Sequence, residues 1–173
     1  MTEKQQKILT AALHLFAKQG YASTSTSKVA KEAGVSEGLI FRHFENKAGL
    51  LQAILDQGKA ATQQIFTEVV MTKDPKERIR KMLEIPFRIP REQYEMWRLI
   101  YALKWQTNRY EEDYQHAVRL VLKDAFEVLG YANPNEEVEL VFMVIDGAAT
   151  SFLLHEPKEK NAILQSLLSK YKL

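Results

Sequence analysis

Apolar residues recur along this chain at spacings of three and four, the repeat of helices with one buried face, and nothing in it reads as strand-rich. Ile8, Leu9, Ala12, Leu13 and Phe16 share one face of a first helix over about Glu3 to Gln19, which Gly20 stops. Thr24 or Ser25 caps a second helix through Ala33, with Gly34 as its stop. Ser36 caps a third, short helix ending near His43 and Phe44, and Asn46 caps a fourth reaching about Met71. Asp74-Pro75-Lys76-Glu77 is a capping box with proline at the first helical position. It opens a fifth helix that Pro86 and Pro90 interrupt, which predicts a break or kink between them. Further helices are predicted over about Arg91–Thr107 and Glu111–Leu129, the latter ended by Gly130. Asn133-Pro134-Asn135-Glu136 repeats the capping device and opens a helix to about Leu154, and Pro157 opens the last, to about Tyr171. The pattern therefore predicts an all-α fold of about nine helices. A three-helix domain over residues 1–47 precedes a helical bundle over 48–173, with no internal repeat and no low-complexity tract.

Composition narrows the chemistry. The 173 residues suffice for one domain or two small ones, and 46% apolar with 27% charged residues is the make-up of an ordinary soluble globular protein. With no cysteine, disulfides, thiolate zinc sites and cysteine nucleophiles are excluded, which fits a reducing compartment. Met1 to Lys7 is polar and runs straight into an amphipathic segment, so it does not read as a signal peptide. The longest apolar run, Leu140 to Ile145, is too short to cross a bilayer; a cytoplasmic protein without membrane partners is expected. Net charge is only +2, but residues 1–47 carry seven Lys/Arg against four acids while the remainder carries 17 against 18. The positive excess thus sits in the first quarter of the chain.

Residues Val29 to Ile40 have the pattern of two helices packed near a right angle across a tight turn. Ala30 is small where the helices cross. Gly34 follows four residues later, where the chain must turn with φ > 0. Val35 and Ile40 plug the second helix against the first, and Ser36 starts that second helix with its early residues free to face outward. Small residue, turn glycine and plug together signal a helix-turn-helix.

These residues carry a resemblance. Ile8 to Tyr21, Thr24–Ser25, Val29–Ala30, Ala33–Gly34–Val35–Ser36, Gly38, Phe41–Arg42–His43–Phe44, Lys47 and Leu50–Leu51 resemble the TetR (tetracycline-repressor) family pattern nearly position by position over about the first 55 residues. The rest of the chain resembles that family in size and helical build alone. The resemblance implies a DNA-binding transcriptional regulator whose third helix enters the major groove of an operator, with Glu37 and Gly38 against base edges. Glu37 either accepts from a cytosine amino group or complements the positive helix N-terminus. Gly38 lets the backbone approach the DNA. Phe41 stands where the family usually has tyrosine, so it lacks the hydroxyl for a phosphate and is left with apolar contact, such as a thymine methyl. Arg42 and His43 are expected at phosphates or neighbouring bases, with helix-end capping as the other reading of His43. Thr24, Ser25, Thr26 and Ser27 put hydroxyls at a helix N-terminus, which suits a phosphate as well as capping. Lys47, Lys28 and Ser36 complete the expected DNA-binding set.

The body invites two further expectations. The penultimate helix, with Leu140, Val141, Val144, Ile145, Ala148, Ala149, Phe152 and Leu153, has more apolar surface than one face needs, and Gly147-Ala148-Ala149 permits close helix approach. By the resemblance, this helix and the last one pair two copies into a homodimer, through Val141, Ile145, Ala148, Ala149, Phe152, Ile163 and Leu167. Aromatic residues concentrate after the fourth helix. Phe87, Tyr94, Trp97, Tyr101, Trp105, Tyr114, Phe126 and Phe142 are the candidates for a pocket that takes a small apolar or aromatic effector; plain core packing is the alternative. His116 beside Glu112 and Asp113 is better read as a solvated face than as a metal site.

The expectation is a ligand-responsive repressor, dimeric on a palindromic operator, with its signal carried by the fourth helix and with no cofactor or metal. One alternative is a family member without an effector. A remoter one is an all-helical enzyme, against which stands the lack of a glycine-rich phosphate loop and of a histidine–carboxylate constellation.

Overall fold

The computed structural model describes residues 1–107 and 113–173. Among them, nine α-helices carry the fold: α1 (Glu3–Gln19), α2 (Thr26–Ala33), α3 (Glu37–Phe44), α4 (Lys47–Met71), α5 (Pro75–Arg88), α6 (Tyr94–Thr107), α7 (Asp113–Val128), α8 (Pro134–His155) and α9 (Lys160–Lys170). A 3₁₀ turn, Arg91–Gln93, leads into α6.

The chain divides into two compact units, and α4 runs from one into the other. The first comprises Met1–Ala61 and Arg91–Asn108. Its core is built on the face of α1 that carries Ile8, Leu9, Ala12 and Phe16, joined by Val29 and Ala30 of α2, Ile40 of α3, Leu50 and Ile54 of α4, and Leu99 of α6. The second comprises Thr62–Pro90 and Arg109–Leu173, with Val69, Ile79, Met82, Leu83, Val118, Leu122, Phe126, Val138, Val141 and Leu168 at its centre. There the buried Arg78 stitches three elements. Its Nε donates to the Thr72 carbonyl (3.0 Å), and Nη1 donates to the Val121 carbonyl (2.9 Å) and the Asp124 carboxylate (3.1 Å).

Helix boundaries follow their caps. Asp74 accepts from the Glu77 amide (2.7 Å) with Pro75 at the first position, as the capping box predicts. The expected break between Pro86 and Pro90 is present and falls at Ile89, whose extended backbone (ψ 117°) is what the ring of Pro90 imposes on its predecessor. Two details differ from expectation. Pro86 itself does not interrupt α5, because in the last turn it removes a single backbone hydrogen bond; the helix ends at Arg88. The last helix sets in at Lys160 rather than at Pro157, after a turn.

Candidate nucleic-acid interface

The α2–α3 corner is held by the residues that predicted it. Ser25 Oγ accepts the Lys28 amide (3.2 Å), and Gly34 takes the left-handed conformation at φ 65°, ψ 37°. The Val35 amide then donates back to the Ala30 carbonyl (3.0 Å) and closes the turn. Ile40 is fully buried against α1 and α2, and Val35 packs half-buried beside it. With one face of α3 anchored in this way, the outward face has only one direction in which to point.

On that outward side, Gly38, Phe41 and Arg42 are exposed, Phe41 at 47%. A Cβ at Gly38 would meet nothing within 4 Å, so the protein's own packing does not demand a glycine there. Ser36 has N-cap backbone angles, but its hydroxyl makes no cap hydrogen bond. Glu37 Oε1 accepts from the Thr26 hydroxyl at 2.6 Å, joining the first residues of α2 and α3. His43 is half-buried, and its Nδ1 lies 3.4 Å from Gln5 Nε2. Because the Gln5 amide oxygen is taken by the Thr2 amide (2.7 Å), its nitrogen is the donor of this contact and Nδ1 the acceptor, which leaves Nε2 to face other partners. The Lys28 ammonium rests near the Ser23 carbonyl (3.3 Å) and Gln19 (3.5 Å) on an exposed surface.

Two expected phosphate ligands are corrected. Thr24 is 1% exposed, and its hydroxyl donates to the Gly20 carbonyl (3.0 Å), so it secures the α1–α2 loop from inside. Lys47 points into the same loop. Its ammonium donates to the carbonyls of Tyr21 (2.9 Å), Thr24 (3.0 Å) and Ala22 (3.4 Å) and sits 4.3 Å from the centre of the Tyr21 ring. An ammonium has three N–H donors, and all three are engaged within the protein. The carbonyls of the loop that follows α1 are what draws it inward.

The sequence reading missed Gln5 and Gly49. Thr2-x-x-Gln5 is a legible capping box. What it could not reveal is that the amide's other end reaches a residue 38 positions away. Gly49 follows the Asn46 cap (2.9 Å from the Gly49 amide to Oδ1), and a Cβ there would stand 2.1 Å from the Phe44 carbonyl oxygen. Only glycine admits that close passage of α4 past the end of α3.

The body residues sort differently from expectation. Phe126 is fully buried, with the Tyr131 ring edge-on at 5.0 Å and Tyr171 at 6.1 Å; it is core, with no face left for a ligand. Phe87 and Phe142 are half-buried in the second unit, Phe87 edge-on to Phe152 (4.8 Å) and Phe142 beneath Arg119 (4.2 Å). Tyr94 (5% exposed), Trp97 and Tyr101 belong to the first unit, so neither unit assembles the whole aromatic set. The side chains of Trp105 and Tyr114 lie outside the described residues. Of the expected pairing residues, Val141, Ala149 and Phe152 are buried within their own unit and unavailable to a second copy, because α5 and α7 already cover that face. Ile145, Ala148 and Leu167 are half-buried, and Ile163 is exposed. The face of α8 left open is one step round: Leu140, Met143, Gly147, Thr150 and Leu154, at spacings of three and four. Helix α8 is long and apolar enough to cross a membrane by length and composition alone. Among the described residues, no three histidine or carboxylate side chains gather as metal ligands.

Residues 8–54 match the family model described as bacterial regulatory proteins, tetR family. The chain is 47% identical over 57 residues (33% of this chain and 30% of the relative) to the HTH-type transcriptional regulator YvkB of Bacillus subtilis, itself uncharacterised. It is 36% identical over 83 residues (47% and 39%) to the HTH-type transcriptional regulator AcrR of Shigella flexneri. The chain thus matches about a third of the length of the curated relatives. The fold extends further than the sequence match. The TetR-family regulator PfmR of Thermus thermophilus superposes with a TM-score of 0.76 at 18% identity, over 98% of this chain and 95% of that one. AibR, solved in complex with isovaleryl coenzyme A and operator DNA, superposes with a TM-score of 0.72 at 18% identity over 97% of both.

Proposed function

We propose, from the match of residues 8–54 to the family model of bacterial regulatory proteins, tetR family, that the chain is a transcriptional regulator of that family and a repressor gripping a palindromic operator as a homodimer. The observation that carries this reading is the outward face of α3. Gly38, Phe41 and Arg42 are exposed there on a helix whose other face is pinned by the buried Ile40. A rigid short helix with a bare glycine, an apolar ring and a guanidinium outward suits insertion into a major groove. Ser25 and Ser27 at the start of α2, with Arg42, Lys28 and Nε2 of His43, are the donors for flanking phosphates.

Pairing is assigned to the open stripe of α8. A glycine in a helix interior costs about 1 kcal/mol relative to alanine, and at Gly147 a Cβ would meet nothing within 4 Å. The chain's own packing gives no reason for it. A second helix crossing closely at that point does, with Leu140, Met143 and Leu154 as the flanking contacts. This stripe also accounts for the apolarity of α8 without a membrane, and the protein is read as working in the cytoplasm.

Sensing of a small apolar or aromatic effector is the further part of the reading. Its support is the half-buried Phe87 and Phe142 of the second unit, together with the isovaleryl coenzyme A bound by the fold neighbour AibR. Release requires that the effector bind the DNA-incompetent state more tightly. Selecting bound fragments from random duplex DNA at two salt concentrations tests the reading. A palindromic consensus is expected, and binding without sequence preference at either salt contradicts it. A thermal-shift screen of apolar ligands separates a ligand-responsive repressor from one regulated otherwise.

A further inference from the structure

We infer that Glu37 is a specificity-determining residue that selects a cytosine in each half-site, and that Thr26 is the residue positioning it. The inference rests on the DNA-reading role proposed for α3. Thr26 and Glu37 are the first residues of α2 and α3, and the 2.6 Å hydrogen bond from the Thr26 hydroxyl to Oε1 ties one helix start to the other. A threonine hydroxyl has one hydrogen to donate. Given to Glu37, it is not available to a phosphate, so the contact expected of Thr26 from its place in a hydroxyl run is replaced by an internal one.

The consequence falls on the carboxylate. With Oε1 held, the half-buried side chain of Glu37 is fixed in direction, and Oε2 remains as an acceptor at the leading end of α3. Beside it, the exposed Gly38 adds no side chain of its own at this end of α3. Phosphates repel a carboxylate, so only a donor can reward its presence against DNA. In the major groove the donors are the amino groups of cytosine and adenine. The adenine amino group lies between two acceptors, its own N7 and the O4 of thymine, and both oppose a carboxylate. The cytosine amino group has one acceptor neighbour, the guanine O6, and a C–H on its other side. A fixed, acceptor-only group therefore prefers cytosine. The competing role, a negative charge placed at a helix N-terminus, predicts no base preference.

The test is selection from random duplexes with the wild-type chain and with Glu37→Gln, Thr26→Val and Thr26→Ser. The wild type is expected to hold a cytosine at one position of each half-site. Glu37→Gln is expected to move that position, and no other, toward adenine by roughly tenfold or more, because an amide pairs with adenine through both its groups. Thr26→Val is expected to flatten the preference at the same position several-fold, and Thr26→Ser, which keeps the hydroxyl, to restore it. A palindrome whose every position is unchanged in Glu37→Gln overturns the inference and leaves the DNA-reading role standing. Thr26→Val weakening all sequences alike, with the cytosine preference intact, overturns the positioning role by making Thr26 a phosphate ligand. A wild-type chain that selects no sequence overturns the DNA-reading role itself, and this inference with it.

Discussion

The two units leave different kinds of residue on their surfaces. In the first, the apolar positions of α1 to α4 are consumed by the core, and the outward face of α3 carries a glycine, one ring and a guanidinium. In the second, α8 buries Val141, Ala149 and Phe152 yet still exposes Leu140 (48%), Met143 (68%) and Leu154 (66%). A surface polar enough for water and charged enough for phosphate suits a nucleic acid. An apolar stripe with a small residue at its centre suits another copy of the same helix. The contrast also separates residues that hold a shape from residues that meet a partner, and substitutions can probe each side of it.

The largest effect is expected where the two faces of α8 are only a step apart. Phe152→Ala empties a core site packed against the Phe87 ring and should cost about 3–5 kcal/mol in denaturant unfolding. Leu154→Ala should leave the unfolding of the monomer within about 0.5 kcal/mol of wild type while weakening self-association. Equal losses at both would show that α8 has no open face. In the first unit, Gly49→Ala drives a Cβ into the Phe44 carbonyl and should destabilise by about 3 kcal/mol, with loss of DNA binding. A melting curve like that of the wild type would mean that α4 does not pass α3 so closely.

A smaller pair sharpens the distinction between holding and meeting. Lys47→Met removes three hydrogen bonds to loop carbonyls and should lower stability by about 2 kcal/mol, with the salt dependence of DNA binding unchanged. Arg42→Gln should do the reverse, leaving the melting point in place and reducing the salt slope by about one unit. The smallest effect concerns pH. Burial, with Glu137 nearby, pushes the hydroxyls of Tyr131 and Tyr171 above their usual value of 10.0. The folded state therefore holds these protons more tightly than the unfolded chain does. The stability they contribute is complete below pH 10 and is lost as the pH rises beyond it. Tyr171→Phe should lessen the alkaline loss.

Much of the first unit was legible because its signals are local. Caps, a turn glycine and plugs at fixed spacing lie within a dozen residues, and Gly34 adopts the left-handed conformation that its place in the pattern requires. What eluded the sequence depended on distance. The choice between a phosphate and a loop carbonyl for Lys47 turns on residues more than twenty positions away, and Thr24 turns inward to carbonyls of Gly20 and Leu15 that its place in a hydroxyl run does not announce. The same holds in the second unit. Helical spacing identifies an apolar helix but not which of its two apolar faces α5 and α7 cover, so three of the expected pairing residues, Val141, Ala149 and Phe152, fell on the covered face. Aromatic content likewise could not separate Phe126, sealed between two tyrosines, from residues with a free face.

The proposed division of labour between a reading face on α3 and a pairing face on α8 meets its sharpest trial in sedimentation equilibrium of wild type and Met143→Glu, each with the selected operator duplex. The wild type should carry two chains per duplex, and Met143→Glu one chain at most, with affinity reduced toward that for random DNA. If Met143→Glu still loads two chains with undiminished affinity, the exposed stripe of α8 is not where copies of this chain meet.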